Sequence, residues 1–341
     1  MFLRQSNAIL LFSFPMLCSR SYAAPALSSA PTSESPGEAR NLPVRITDSG
    51  ERLRVEIGGK LFTEYYYKNV PRPFLYPIIS AAGDAMTRNY PMKDVEGEPR
   101  DHVHHRSLWF THGAVNGQDF WGEKAACGKI VHDAFVAVAS GATSGVIESK
   151  NKWVAANGEI VCEDASALRF MGWPGATALD FDVTLHASHG AVTLGDTKEG
   201  SMAIRVAPSM QLEKGGQGHI VTSEGKRDGK AWGARADWCD YYGPVNGKTV
   251  GVAIFDHPQN PHHPTWWHAR GYGLFAANAT GVHDFEKAPK GTGDIVIPAG
   301  QSATFRYRFY FHLGDEQHGQ VAERYREYVE STPAAETKEA N

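Results

Sequence analysis

In the segment "ALDFDVTLH", Leu179, Phe181, Val183 and Leu185 alternate with Asp180, Asp182, Thr184 and His186. In "TFRYRFYFH", Phe305, Tyr307, Phe309 and Phe311 alternate with Arg306, Arg308, Tyr310 and His312. A period of two puts each set on its own face of an extended chain, so both segments read as half-buried antiparallel strands. Further strands are predicted at "RLRVEI", "FLYPII", "KIVHDAFVAVA", "GVIESKNKWVA", "SMAIRVA" and "TVGVAIF", separated by turns that draw on 35 glycines and 19 prolines. Only the end has a helical period. After Asp315 as N-cap, Val321, Tyr325, Tyr328 and Val329 share one face, and Pro333 stops the helix. No fixed-period repeat is evident, and no strand–helix alternation calls for a parallel sheet. The expected fold is all-β: a single large antiparallel β-sandwich over residues 41–332 with a short C-terminal helix, then a disordered tail at 333–341.

Composition narrows the picture. The 341 residues are 42% hydrophobic and 21% charged, ample for a large core, and the net charge is −4. With no long basic run, binding to nucleic acid or to anionic membrane by bulk electrostatics is excluded, and small or neutral partners are favoured. Residues 1–23 read as a signal peptide: Arg4 supplies positive charge, "AILLFSFPML" an apolar stretch, and "SYAA" small residues for cleavage. That stretch is too short to span a bilayer. Residues 24–40, rich in Ala, Pro and Ser, read as a disordered tether, and a periplasmic or secreted location is expected. Lipidation at Cys18 is disfavoured, because Pro15-Met16-Leu17 lacks the small residue such a site needs. Beyond the signal, Cys127, Cys162 and Cys239 form no CxxC pair, which leaves either one disulfide with an odd thiol or three buried free thiols.

Three stretches concentrate chemistry. "DHVHHRSLWFTHGAVNGQDFW" packs four histidines, an arginine and two tryptophans into residues 101–121. An extended "DHVHH" would put His102 and His104 on one face and His105 on the other, so a common wall needs a bend. His105 and His112 are the expected proton-handling imidazoles, while His104, Arg106, Trp109 and Asn116 would contact substrate. In "GDTKEGSMAIRVA" the apolar parity of Met202, Ile204 and Val206 sends Arg205 to the opposite face with Ser201. Glu199 is the expected catalytic carboxylate and Arg205 orients substrate. "DHPQNPHHPTWWHARGYGLFAANATGVHDF" contributes Trp267, His268 and Arg270, and upstream "ADWCDYYGPVNG" contributes Asp240 and Tyr242. Adjacent Trp266 and Trp267 should face opposite ways, Trp266 into the core and Trp267 to the pocket. Together these groups suit sugar chemistry: imidazoles and carboxylates to move protons, arginines for acidic substituents, and flat rings for a pyranose face. No cofactor is expected. A divalent metal held by His102, His104 and His112 with a carboxylate is the alternative, although the spacing is not a helical zinc signature.

The same stretches, "YPMKDVEGEPRDHVHHRSLWFTHGAVNGQDFW", "GDTKEGSMAIRV" and "NPHHPTWWHARGYGLFAANATG", resemble the PmoA-like ("methane oxygenase") family of domains of unknown function, over roughly Phe74 to Leu313. The resemblance implies an extracytoplasmic all-β protein associated with polysaccharide degradation, and no settled reaction. One departure is Val103, where that pattern has proline. At the level of architecture the chain is similar to the galactose-mutarotase supersandwich of sugar epimerases and some polysaccharide lyases. The expected function is thus a secreted carbohydrate-active hydrolase, lyase or epimerase. The alternatives are a non-catalytic carbohydrate-binding protein and a metal-dependent oxygenase or hydrolase.

Overall fold

The computed structural model describes residues 41–213 and 215–331, and these form one compact unit. The signal, the tether, Cys18 and the tail from residue 332 lie outside the described residues. The chain opens with β1 (Val44–Asp48), β2 (Arg52–Ile57), β3 (Lys60–Tyr66), β4 (Phe74–Leu75) and β5 (Leu108–His112). The long strands β6 (Lys129–Ala139), β7 (Gly145–Val154), β8 (Ile160–Trp173) and β9 (Ala176–His186) follow, then β10 (Val192–Leu194) and β11 (Gly200–Arg205). The last third holds β12 (His219–Thr222), β13 (Trp238–Val245), β14 (Lys248–Asp256), β15 (Trp266–Ala269), β16 (Leu274–Asn278), β17 (Ile295–Ile297) and β18 (Ser302–Leu313). Two α-helices, α1 (Val282–Glu286) and α2 (Val321–Ser331), complete it.

The expected large antiparallel sandwich is what forms. One eight-stranded sheet runs β1-β2-β3-β4-β5-β11-β16-β15, and a second runs β12-β13-β14-β18-β9-β8-β7-β6, every pairing antiparallel. The inward rows meet in one core: Leu108, Phe110, Met202, Ile204 and Phe275 of the first sheet against Leu179, Phe181, Val183, Phe305 and Phe309 of the second. The outer face of the second sheet is closed by α2, whose Val321 and Tyr328 pack on Phe255, Tyr310 and Ala178. That helix begins at Val321, later than expected. Asp315 instead accepts the backbone N–H of His318 at 2.8 Å in the turn before it. Of "FLYPII" only Phe74–Leu75 pairs as strand.

The outer face of the first sheet carries the site, and the register explains how. Phe74 pairs with Trp109, Trp109 with Ala203, Ala203 with Ala276, and Ala276 with His268, so these five residues form one row across five strands. Side chains in such a row share a face. Two alanines thus separate the indole of Trp109 from the imidazole of His268. Loops pack over this face, burying Trp109, Trp121, Phe74 and Leu274 as a second apolar cluster.

The tryptophan pair corrects one expectation. Trp267 and Trp266 do point opposite ways, but Trp267 is the core member, fully buried against Phe275 with Nε1 donating to the Ala236 carbonyl at 3.0 Å. Trp266 lies on the outer side under Arg235 and donates to Glu286 at 2.7 Å. The sequence cannot tell which parity faces the second sheet. Trp267→Ala should therefore cost ~3–5 kcal/mol, as for a core aromatic, and Trp266→Ala less. Denaturant unfolding of the two variants checks the order.

Candidate functional site

Residues 101–107 reach the site because the chain turns rather than extends. His102 adopts φ 45° and its carbonyl accepts the His105 N–H at 3.0 Å. This is the bend the spacing required. It stacks the rings of His102 and His105 at 4.7 Å, continues the stack onto Tyr272, and sets His104 edge-on to His105 at 4.6 Å. His105 in turn lies over Trp109 at 5.5 Å.

Three arginines, each buried from solvent, fix these loops. Arg72 donates to the carbonyls of His104, Phe120, Trp121 and Gly122 and pairs with Glu123 at 3.1 Å. Arg88 bonds the carbonyls of Tyr90, Pro99 and His102 and pairs with Asp101. Arg205, at the end of β11, donates to His105 Nδ1 at 2.9 Å and to Asp101 at 3.1 Å, and its guanidinium lies 4.7 Å over the Tyr272 ring. Burial alone would raise the Asp101 carboxyl, but Arg205, the His102 hydrogen bond and Arg88 hold it down to about 2.

The result is a cleft of about 660 Å³, lined among others by His104, His105, Trp121, Glu199, His268, Arg270 and Tyr272. Side chains from all three chemistry-rich stretches meet in it. Glu199 reaches it because Gly113 lets the chain pass. A Cβ at Gly113 would come within 2.8 Å of Glu199 Cβ, and the Gly113 N–H binds the Glu199 carbonyl at 2.7 Å.

The protonation of the two buried imidazoles follows from their partners. An arginine N–H can only donate, so His105 Nδ1 accepts from Arg205 and the neutral ring carries its proton on Nε2. A carbonyl can only accept, so His268 Nδ1 donates to the Lys198 carbonyl at 2.8 Å and leaves Nε2 as an acceptor. Both rings are neutral near pH 7. Burial lowers His268 to about 4 against the opposing pull of Glu199, and burial, with the neighbouring His104 ring and the Arg205 guanidinium, lowers His105 well below its ordinary value. His104 is likewise pushed to about 4 by burial and Arg72.

The lining carboxylates differ in freedom. Glu123 is clamped by Arg106 through two bonds of 2.8 Å and by Arg72. Asp119 accepts the backbone N–H groups of Trp121 and Gly122 and the Cys127 thiol. Among the described residues the Glu199 carboxylate pairs with the Lys198 ammonium alone, at 2.7 Å, and its side chain is about a third exposed (35%).

Several expected site residues lie elsewhere. His112 is fully buried with both nitrogens engaged, Nε2 donating to the Gly195 carbonyl at 2.8 Å and Nδ1 accepting from Ser201 at 3.2 Å. It does not line the cleft. Trp109 lies behind His105, Arg106 is committed to Glu123, and Arg205 supports the wall rather than forming it. Asn116 sits in an exposed turn, tied to Ala191 and Thr193 beside β10. Asp240 and Tyr242 are on β13 in the second sheet, where Asp240 pairs with buried His312 at 3.1 Å. Trp267 is in the core. The alternative ligands do not assemble, since both His112 nitrogens are engaged and, among the described residues, no group of three His, Cys, Asp or Glu is placed to hold a metal. The three cysteines are buried free thiols. Missed were Arg72, Arg88, Asp101, Glu123, Lys198 and Tyr272. Lys198, beside Glu199, and Glu123, two residues beyond Trp121, are among those that sequence proximity could have flagged.

Fold and site together define a β-sandwich protein with an imidazole-rich cleft on the outer face of one sheet. A family model described as a family of unknown function, DUF6807, matches residues 52–326, and the chain belongs to that family. A link to the PmoA-like family is not shown by this match. No curated protein matches the sequence. Among solved structures the chain is similar to the alpha-galactosidase from Lactobacillus brevis at a TM-score of 0.40 and 8% identity, covering 81% of this chain and 40% of that one. It is similar to a galactose mutarotase-like protein from Clostridium acetobutylicum at 0.37 and 9%, covering 80% and 99%. It is also similar to a Glycoside Hydrolase Family 97 enzyme in complex with panose from Pseudoalteromonas sp. strain K8 at 0.32 and 9%, covering 82% and 35%. The chain thus spans well under half the length of the first and third. Among the described residues no helix is long and apolar enough to cross a membrane.

The lowered imidazoles predict a pH dependence. His104, His112 and His268 titrate at about 4 in the fold, each chiefly through burial, and near 6.5 when unfolded. Between those values the unfolded chain binds more protons, so stability is full above pH ~6.5 and falls as pH drops toward 4. Thermal unfolding at half-unit pH steps should show the melting temperature falling through this window. A flat profile would mean these rings are solvated.

Proposed function

We propose that the cleft is the active site of a carbohydrate-directed enzyme that moves protons without hydrolysis, as a lyase or epimerase does, acting in the periplasm or outside the cell. The observation that carries this is the pair of imidazoles held in opposite tautomers, His268 offering an acceptor and His105 a donor. His268 Nε2 is the base. The proton it takes up leaves an imidazolium whose Nδ1–H is already bound to the Lys198 carbonyl and whose charge lies in the field of Glu199. His105 Nε2–H polarises an oxygen of the substrate, its ring locked by Arg205.

Glycoside hydrolysis by the usual route needs two carboxyl groups free to act as acid and as base or nucleophile. Here Glu123 is neutralised by two arginines and Asp119 is filled with donors, which leaves Glu199 as the one lining carboxylate without such clamps. That count favours proton transfer at carbon or at a ring hydroxyl over water-dependent cleavage. No metal or other cofactor is part of this reading.

His268→Gln should lower turnover by ~100-fold or more while leaving the fold intact. The check is a panel of oligosaccharides followed by NMR, which separates epimers and unsaturated products from hydrolytic ones. Saturated products with new reducing ends, or near-full activity in the variant, would overturn the assignment.

A further inference from the structure

The charges around the cleft are unbalanced in a chain whose net charge is −4. Asp119, Glu123 and Glu199 line it beside Lys124, Lys198 and Arg270, and behind these Arg72, Arg88, Arg106 and Arg205 are opposed by Asp101. Every lining carboxylate is already paired or hydrogen-bonded. Arg270 is not: among the described residues its guanidinium has no hydrogen-bonded or ion-paired partner, and it stands 5.6 Å over the Tyr272 ring and 5.7 Å over the Trp232 ring. The Tyr272 hydroxyl likewise has no hydrogen-bond partner among the described residues. With His105 Nε2–H, the Arg270 guanidinium and the Tyr272 hydroxyl give this wall donors that no protein acceptor among the described residues takes up.

We infer that the substrate is a sugar bearing a carboxylate, a uronate, whose carboxylate seats on the Arg270 guanidinium and the Tyr272 hydroxyl. This rests on the acid–base reading of the same cleft and adds the substrate class to it. A planar guanidinium matches a carboxylate through two parallel N–H···O bonds, and the two rings beneath Arg270 hold its plane. His268, on β15 two residues before Arg270, lines the same cleft and holds its free acceptor there. Neutral sugars would leave Arg270 without a charged partner in the complex, which costs affinity.

The test is calorimetric titration of the full chain with a uronate-containing disaccharide, its neutral counterpart of the same linkage and a sulfated counterpart, against wild type, Arg270→Gln and Arg270→Lys. Wild type should prefer the uronate over the neutral sugar by at least ~10-fold, the low end for a hydrogen bond to a charged group. The preference should vanish in Arg270→Gln, be partly kept in Arg270→Lys and shrink with added salt. Circular dichroism melts confirm that the variants fold. Equal binding of uronate and neutral sugars, or tighter binding of the sulfated one, would overturn the uronate assignment even where His268→Gln abolishes turnover. Arg270-dependent uronate binding with turnover indifferent to His268→Gln would keep the assignment and remove the acid–base reading instead. No binding of any of the three at millimolar concentration would overturn both.

Discussion

Three buried guanidiniums set the conditions for everything on the outer face of the first sheet. Removing such an ion from water costs several kcal/mol unless charge and hydrogen bonds replace the lost hydration. Arg72, Arg88 and Arg205 meet this cost by consuming the carbonyls and carboxylates of loops that would otherwise be free. Arg72 alone engages four carbonyls and Glu123, a set that the three donors of a lysine could not serve. The loops are thereby ordered without regular secondary structure, and the imidazoles they carry inherit fixed positions.

The same cations set the state of those imidazoles. Burial is the larger effect and the neighbouring positive charges the smaller, but both favour the neutral ring. A neutral imidazole has one donor and one acceptor, and which is which depends on its fixed neighbour. Arg205 on one side and the Lys198 carbonyl on the other give His105 and His268 opposite polarities. Scaffold electrostatics and site chemistry are thus one arrangement.

Much of the fold was legible because period-two alternation survives wherever one sheet face is more buried than the other, as in β9 and β18. The site was legible as a density of unusual residues in 101–121, 195–207 and 256–285, since desolvated polar groups need partners and such clusters supply them. Individual roles were less so. Parity put Arg205 opposite Met202 and Ile204 correctly, yet parity alone could not say which face of β15 looks toward the second sheet, and Trp267 was misplaced. Asp240 and Tyr242 were assigned by closeness in sequence to the third stretch. The chain, however, crosses to the other sheet for β12, β13 and β14 before returning at β15, a long-range fact with no local signature. His112 shares its neighbourhood in sequence with His105, but the inward turn at β5 consumes both its nitrogens.

The alanine row has a consequence for selectivity. Ala203 and Ala276 sit on central strands, hydrogen-bonded on both sides, so the spacing between Trp109 and His268 is set by the inter-strand repeat, ~4.8 Å per step. Loop movements can change how deep the cleft is or how readily it opens. They cannot change the spacing between His268 and Trp109, the ring that backs His105. A relative needing different chemistry could vary the loops and leave that ruler untouched.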